Sequence, residues 1–159
     1  MTELIHKEIG DIPPNGRIYF LTDGTWSLFE LIGYCLKQVG PSHLFITSFS
    51  ISEESIRHLL YLKENGEILS LSGLFDPSLR KTKTPLLYFA AEVFDKLRFA
   101  ANHSKIIVCE NSVRPLVIVA SANLGRNRRI ETGIIDTDKQ TLWFYKSRLE
   151  TLFENAIEL

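Results

Sequence analysis

Apolar runs that alternate with segments of helical spacing restrict this chain to an α/β layered fold. RIYFLTDG (17–24), HLFITSFSI (43–51) and EILSLSGLF (67–75) read as strands. Between them, Phe29, Ile32, Leu36 and Val39 recur at helical intervals, as do Ile56, Leu59, Leu60 and Lys63. Thr25 and Ser52 are placed to cap these two helices, and Gly66 stands where a helix C-terminal glycine belongs. DPSLRKTKT (76–84) is polar and basic and reads as a mobile loop. Thr84-Pro85 then opens a helix whose apolar face is Leu86, Phe89, Val93, Phe94 and Leu97. Strands follow near 103–109, 115–121 and 130–136. A last helix starts near Asp138, with Leu142, Tyr145, Leu149, Leu152, Phe153 and Ala156 on one face. This order predicts a single α/β domain over 1–159 with a mixed sheet.

Composition excludes several alternatives. With 45% hydrophobic and 23% charged residues, the 159-residue chain is neither disordered nor a coiled coil and is long enough to bury a core. No stretch approaches the roughly 18 consecutive apolar residues of a membrane span. The opening MTELIHKEIGDIPPNG lacks a basic-then-apolar signal pattern, so a cytoplasmic protein is expected. Cys35 and Cys109 lie in apolar segments and are expected to be reduced core residues. Trp26, Phe29 and Tyr34 read as core and helix surface. His6, His43 and His58 read as structural or exposed, and Asp23-Gly24 as a turn.

The net charge of −1 argues against a general nucleic-acid binder, but the charge is unevenly spread. Between Lys96 and Glu131 there are seven basic residues and two acidic ones, a local +5 against −6 elsewhere. Within that span lie three polar pairs, each two residues apart: His103 and Lys105, Ser121 and Asn123, Arg129 and Glu131. On a strand, residues two apart share a face. Apolar strands have no reason to carry such pairs at their ends unless the pairs meet.

Together these side chains suit a phosphodiester. Lys105 and the Asn123 amide can donate to non-bridging phosphate oxygens and stabilise a pentacovalent transition state. A nitrogen of His103 can attack phosphorus and give a covalent intermediate. Glu131 bonded to the other ring nitrogen would fix the tautomer. Ser121 could hold a neighbouring group or a phosphate oxygen. No carboxylate cluster of metal-ligand type stands out, so a metal-free mechanism without cofactor is expected.

His103-Ser-Lys105, then Glu110, then Ser121-Ala-Asn123 and Glu131 resemble the signature of the phospholipase D superfamily. That signature is HxK, an acidic residue five beyond the lysine, a Gly-Ser-x-Asn strand and a following glutamate. The resemblance implies an α-β-α sandwich and a phosphodiesterase with His103 as nucleophile, supported by Lys105, Ser121, Asn123 and Glu131. Three positions depart from the pattern. The usual Asp is Glu110, at a position thought to be largely structural near the site. The usual Gly is Ala120, and an asparagine commonly found two before the glutamate is Arg129, with Asn127 nearby. Arg129, Asn127, Lys81 and Lys83 are candidate substrate contacts.

Only one HxK is present, whereas family members use two histidines, one as nucleophile and one as general acid. The chain resembles the family's short bacterial nucleases, which join two subunits, so a homodimer acting on DNA or RNA is implied. The same motif would serve a phospholipid, although no basic amphipathic helix of the bilayer-docking kind is evident. A non-catalytic nucleic-acid-binding or scaffold subunit on the same fold is the reading from a different class. Each residue also has an ordinary alternative: a snorkelling Lys105, Ser121 and Asn123 as turn residues, or Glu131 paired with Arg128 or Arg129.

Overall fold

The computed structural model describes residues 1–82 and 84–159. Lys83, one of the candidate substrate contacts, lies outside the described residues. In chain order the elements are α1 (Thr2–Ile9), β1 (Arg17–Thr22), α2 (Leu28–Val39), β2 (Ser42–Ser48), α3 (Glu53–Glu64), β3 (Ile68–Phe75) and α4 (Ser78–Thr82). They continue as α5 (Thr84–Val93), β4 (Lys96–Phe99), β5 (Ile106–Glu110), β6 (Leu116–Ala120), β7 (Glu131–Asp136), α6 (Lys139–Glu154) and β8 (Ile157–Glu158).

Among the described residues the strands form one eight-stranded sheet in the order β1-β7-β6-β5-β2-β3-β4-β8. Strands β2, β3 and β4 run parallel, as connections through helices require. The strands from β2 to β1 through β5, β6 and β7 are each antiparallel to their neighbour. This is the mixed α/β sheet that the sequence predicts.

Alternation on the strands decides the layers. Ile107, Cys109, Leu116 and Ile118 join the large core beneath α1, α2, α3 and α5. Ile106, Val108 and Val117, which point the other way, pack with Leu149 of α6. Phe29, Ile32, Leu36 and Val39 of α2 are all buried, as their spacing predicts. Trp26 and Tyr34 are buried as well, and both cysteines are free and buried.

Several boundaries differ from the sequence reading. The α2 cap is Ser27, not Thr25: Glu30 Oε2 accepts from the Ser27 amide at 2.8 Å and from its hydroxyl at 2.7 Å, while Thr25 bonds back to Asp23. Residues 76–82 are not a loop. The Asp76 carboxylate accepts from the Ser78 amide at 2.9 Å and Leu79 is buried, which winds the short helix α4. On α5 the buried residues are Leu87, Ala90 and Val93, and Leu97 belongs to β4. On α6 only Leu149 and Phe153 of the predicted face are buried, and Leu152 is exposed. Helix α1 and strands β4 and β8 were not anticipated.

Candidate active site

Antiparallel order brings the three polar segments together. Because β5, β6 and β7 alternate in direction, the start of β5, the end of β6 and the start of β7 lie at one end of the sheet. The C-terminal end of β2 lies there too. His103 and Lys105 precede β5, Ser121 and Asn123 follow β6, and Glu131 opens β7.

The first pair is not on a strand, as the sequence suggested. Asn102 Oδ1 accepts from the Ser104 amide at 3.2 Å and from its hydroxyl at 2.5 Å, a local bond that competes with the ladder. The Ser104 hydroxyl meets Thr47 Oγ1 at 2.8 Å, and Thr47 Oγ1 accepts from the Ile106 amide at 3.1 Å, where the strand begins. Asp76 Oδ2 accepts from the Asn102 amide at 3.2 Å. Bonds from Ser78 chiefly, and the nearby His103 last, hold the Asp76 carboxyl below its usual range. Thr47, Asp76, Asn102 and Ser104 were invisible as site residues in the sequence, because their role lies in contacts across up to 59 positions.

His103 and Lys105 nonetheless meet. Lys105 Nζ lies 3.0 Å from His103 Nδ1 and donates to the His103 carbonyl at 2.7 Å. Lys105 is only 7% exposed, and burial lowers its pKa while Glu131 opposes that shift. The exposed His103 ring rests against Phe49, with centroids 5.2 Å apart.

Glu131 has other partners than those expected. One carboxylate oxygen accepts from the Ser121 hydroxyl and the other from Asn127 Nδ2. Ser121 Oγ in turn accepts from the Thr132 amide at 3.0 Å. The expected bond from Glu131 to the His103 ring is absent among the described residues, since Nδ1 faces Lys105 instead. The ordinary alternative, Glu131 paired with Arg128 or Arg129, is not what forms: among the described residues both arginines are exposed without a side-chain partner, and Asn127 makes the contact. Asn123 is half-buried, and its Oδ1 lies 3.4 Å from the Ser48 hydroxyl.

Glu110 is not near this cluster. Five residues along an extended strand from Lys105 place it about 17 Å away. There it forms an ion pair with Lys146 at the rim of a cleft of about 160 Å³ that also holds His43, Ser70 and Glu150. Its role at that end is to tie α6 to β5. Lys81 is exposed on α4, which leads off from Asp76 and so emerges beside the His103 segment.

The basic cluster of the sequence is dispersed. Arg98 pairs with Glu158 on the far edge strand, and Arg114 donates to the carbonyls of Gln38 and Ile12 at the opposite end of the sheet. Arg126 pairs with Glu30 and Glu54. Among the described residues, Arg128 and Arg129, with Arg80 and Lys81 on α4, are exposed cations on this side. No group of three or more His, Cys, Asp or Glu side chains is arranged to hold a metal ion among the described residues.

This sheet order with this layering is the phospholipase D fold. Two solved structures share it over nearly their whole length: NucT from Helicobacter pylori, at TM-score 0.71 and 14% identity, covers 91% of this chain and 99% of its own. Nuc from Salmonella typhimurium, a phospholipase D family member, gives 0.72 and 12%, covering 91% and 97%. TrmBL2, an archaeal chromatin protein with a novel mode of DNA binding, is similar at 0.61 and 14%, over 89% of this chain and 54% of its own. No family model matches the sequence, and no curated protein sequence matches it.

Proposed function

We propose that the chain is a phosphodiesterase of the phospholipase D type that cleaves nucleic acid without a metal, through a phosphohistidine on His103. What supports this reading is that the His103–Lys105 pair and the Ser121–Glu131–Asn127 group stand at the same end of a phospholipase D sheet.

The chemistry follows from the donors. Lys105 and the Asn123 amide stabilise charge on the non-bridging oxygens. The Nε2 lone pair attacks phosphorus, the bond to the leaving oxygen breaks, and that oxygen takes a proton from an acid. Water then attacks the phosphohistidine, returns a proton to that group and frees a phosphomonoester and neutral His103.

A single copy supplies one histidine for two roles. A two-fold dimer supplies the missing half: the partner's His103 serves as acid while this one attacks. Leu21 (69% exposed), Phe49 (36%) and Ile130 (74%) adjoin the cluster and offer the apolar surface such an interface needs. The open surface around His103, flanked by Arg80, Lys81, Arg128 and Arg129, suits a polyanion. No helix among the described residues is long and apolar enough to cross a membrane.

The test is hydrolysis of bis-(p-nitrophenyl) phosphate and of single- and double-stranded DNA in EDTA, with trapping of the phosphohistidine. Wild type is expected to turn over and His103→Ala to lose activity by at least about 1,000-fold. Salt-sensitive DNA binding with no hydrolysis would instead favour a non-catalytic binding subunit. The DNA binding named for TrmBL2 keeps that reading in view.

A further inference from the structure

We propose that Arg126 is a positioning residue for Glu131, acting through Asn127. The proposal rests on the reading of Glu131 as part of the active site, and it concerns the segment between β6 and β7. That segment has an isolated bridge from Leu124 to Ile51 and otherwise no helix or strand, yet it must deliver Asn127 Nδ2 to the Glu131 carboxylate.

Three fixings hold it. At its start, Leu124 is fully buried; its amide donates to Ser48 Oγ at 2.9 Å, and its carbonyl accepts from the Ser52 amide at 3.0 Å and the Ser55 hydroxyl at 2.8 Å. In the middle, Arg126 Nε lies 3.1 Å from both Glu54 oxygens, and Nη2 reaches Glu54 at 2.7 Å and Glu30 at 3.2 Å. Its guanidinium also lies over the Phe29 ring, 5.6 Å from the centroid. Beyond it, the backbone at Asn127 and Arg128 presses on Gly24, where an added Cβ would come within 2.7 Å of Asn127 O and Arg128 Cα.

The Arg126 partners are themselves fixed. Glu30 gives its other oxygen to Ser27 as the N-terminal cap of α2, and Glu54 stands in the first turn of α3. Both helices are thus tied, through one guanidinium, to the residue that precedes Asn127. Asn127 divides its attachment between Arg126 on one side and the Gly24 contact on the other, and its amide then sets one oxygen of Glu131. The other oxygen is left to Ser121. Arg126 and Glu54 are well exposed, and such ion pairs contribute little stability, so the consequence of the clamp is geometric.

The experiment compares wild type, Arg126→Ala and Arg126→Lys by hydrolysis of bis-(p-nitrophenyl) phosphate and by the Asn127 side-chain amide resonance, assigned by its loss in Asn127→Asp. Arg126→Ala is expected to lower kcat about 10- to 100-fold with KM within about threefold, because misplacing a catalytic group costs rate more than binding. The Asn127 amide should move to the position of a solvated amide. Lysine keeps the charge without the fork and should restore only part of both effects. An unmoved Asn127 resonance in folded Arg126→Ala would overturn the proposal, as would a moved resonance with unchanged kcat. If wild type hydrolyses nothing, the proposed activity fails by that result, and the resonance decides the placement by itself.

Discussion

Lys105 carries a cost that its neighbours only partly offset. Its ammonium is buried beside His103, and burial lowers its pKa from 10.5, with Glu131 acting against the shift. Between the lowered folded value and the unfolded one, the unfolded chain binds more protons, so stability rises with pH across that window. The penalty is fully present below the folded pKa and is relieved above it. Lys105→Met has no such titration. Urea midpoints at pH 7 and pH 10 should therefore show the difference between the two chains moving in favour of wild type at the higher pH. A constant difference would mean that Lys105 is not desolvated in solution. The His103–Lys105 pairing was legible from spacing, since residues two apart are neighbours in either an extended or a turning chain. Its setting on a turn stabilised by Asn102 and Ser104, and not on a strand, was not.

At the level of elements, β7 shows how tightly the site end of the sheet is built. A Cβ at Gly133 would lie 2.3 Å from Phe20 Cζ and 2.6 Å from the Val119 carbonyl, so two neighbouring strands close over the missing side chain. Gly133→Ala is expected to cost about 1–3 kcal/mol through overpacking. Urea unfolding checks this, and a midpoint equal to that of wild type would show that the sheet yields there. The helices α2 and α3 were read correctly from their periodicity, because an amphipathic face is a local property. The failures were also local in origin: α4 depends on an Asp76 cap and one buried leucine, and a five-residue helix leaves too few repeats to detect. Strand β4 has only four residues and was absorbed into the preceding helix pattern.

For the whole molecule, the proposed two-fold assembly makes activity and mass inseparable. Light scattering is expected to give twice the 18.2 kDa of one chain. A charge at the apolar rim, as in Leu21→Glu with Ile130→Glu, should give a folded monomer that no longer hydrolyses bis-(p-nitrophenyl) phosphate, since desolvating those charges opposes association. An active monomer would sink the shared-site reading while leaving the histidine chemistry standing. The charge pattern misleads at this scale. Seven basic residues clustered between positions 96 and 129 of the chain are dispersed in the fold, and Arg98, Arg114 and Arg126 are spent on structural contacts.

Sequence by itself determined the alternation of elements, the cap at Ser52, the start of the last helix near Asp138, the burial of α2, and the choice of His103, Lys105, Ser121, Asn123 and Glu131 as candidates. These depend on chain geometry over a few residues or on a spaced motif. Tertiary structure alone decided which ends of the strands meet, that Glu131 turns to Ser121 and Asn127, and that Glu110 leaves for α6. It also decided that Arg126 joins partners 72 and 96 positions away. The reason is physical: strand order and side-chain pairing are fixed by burial of the whole sheet between its helices. No local pattern encodes which distant carboxylate a given donor will find.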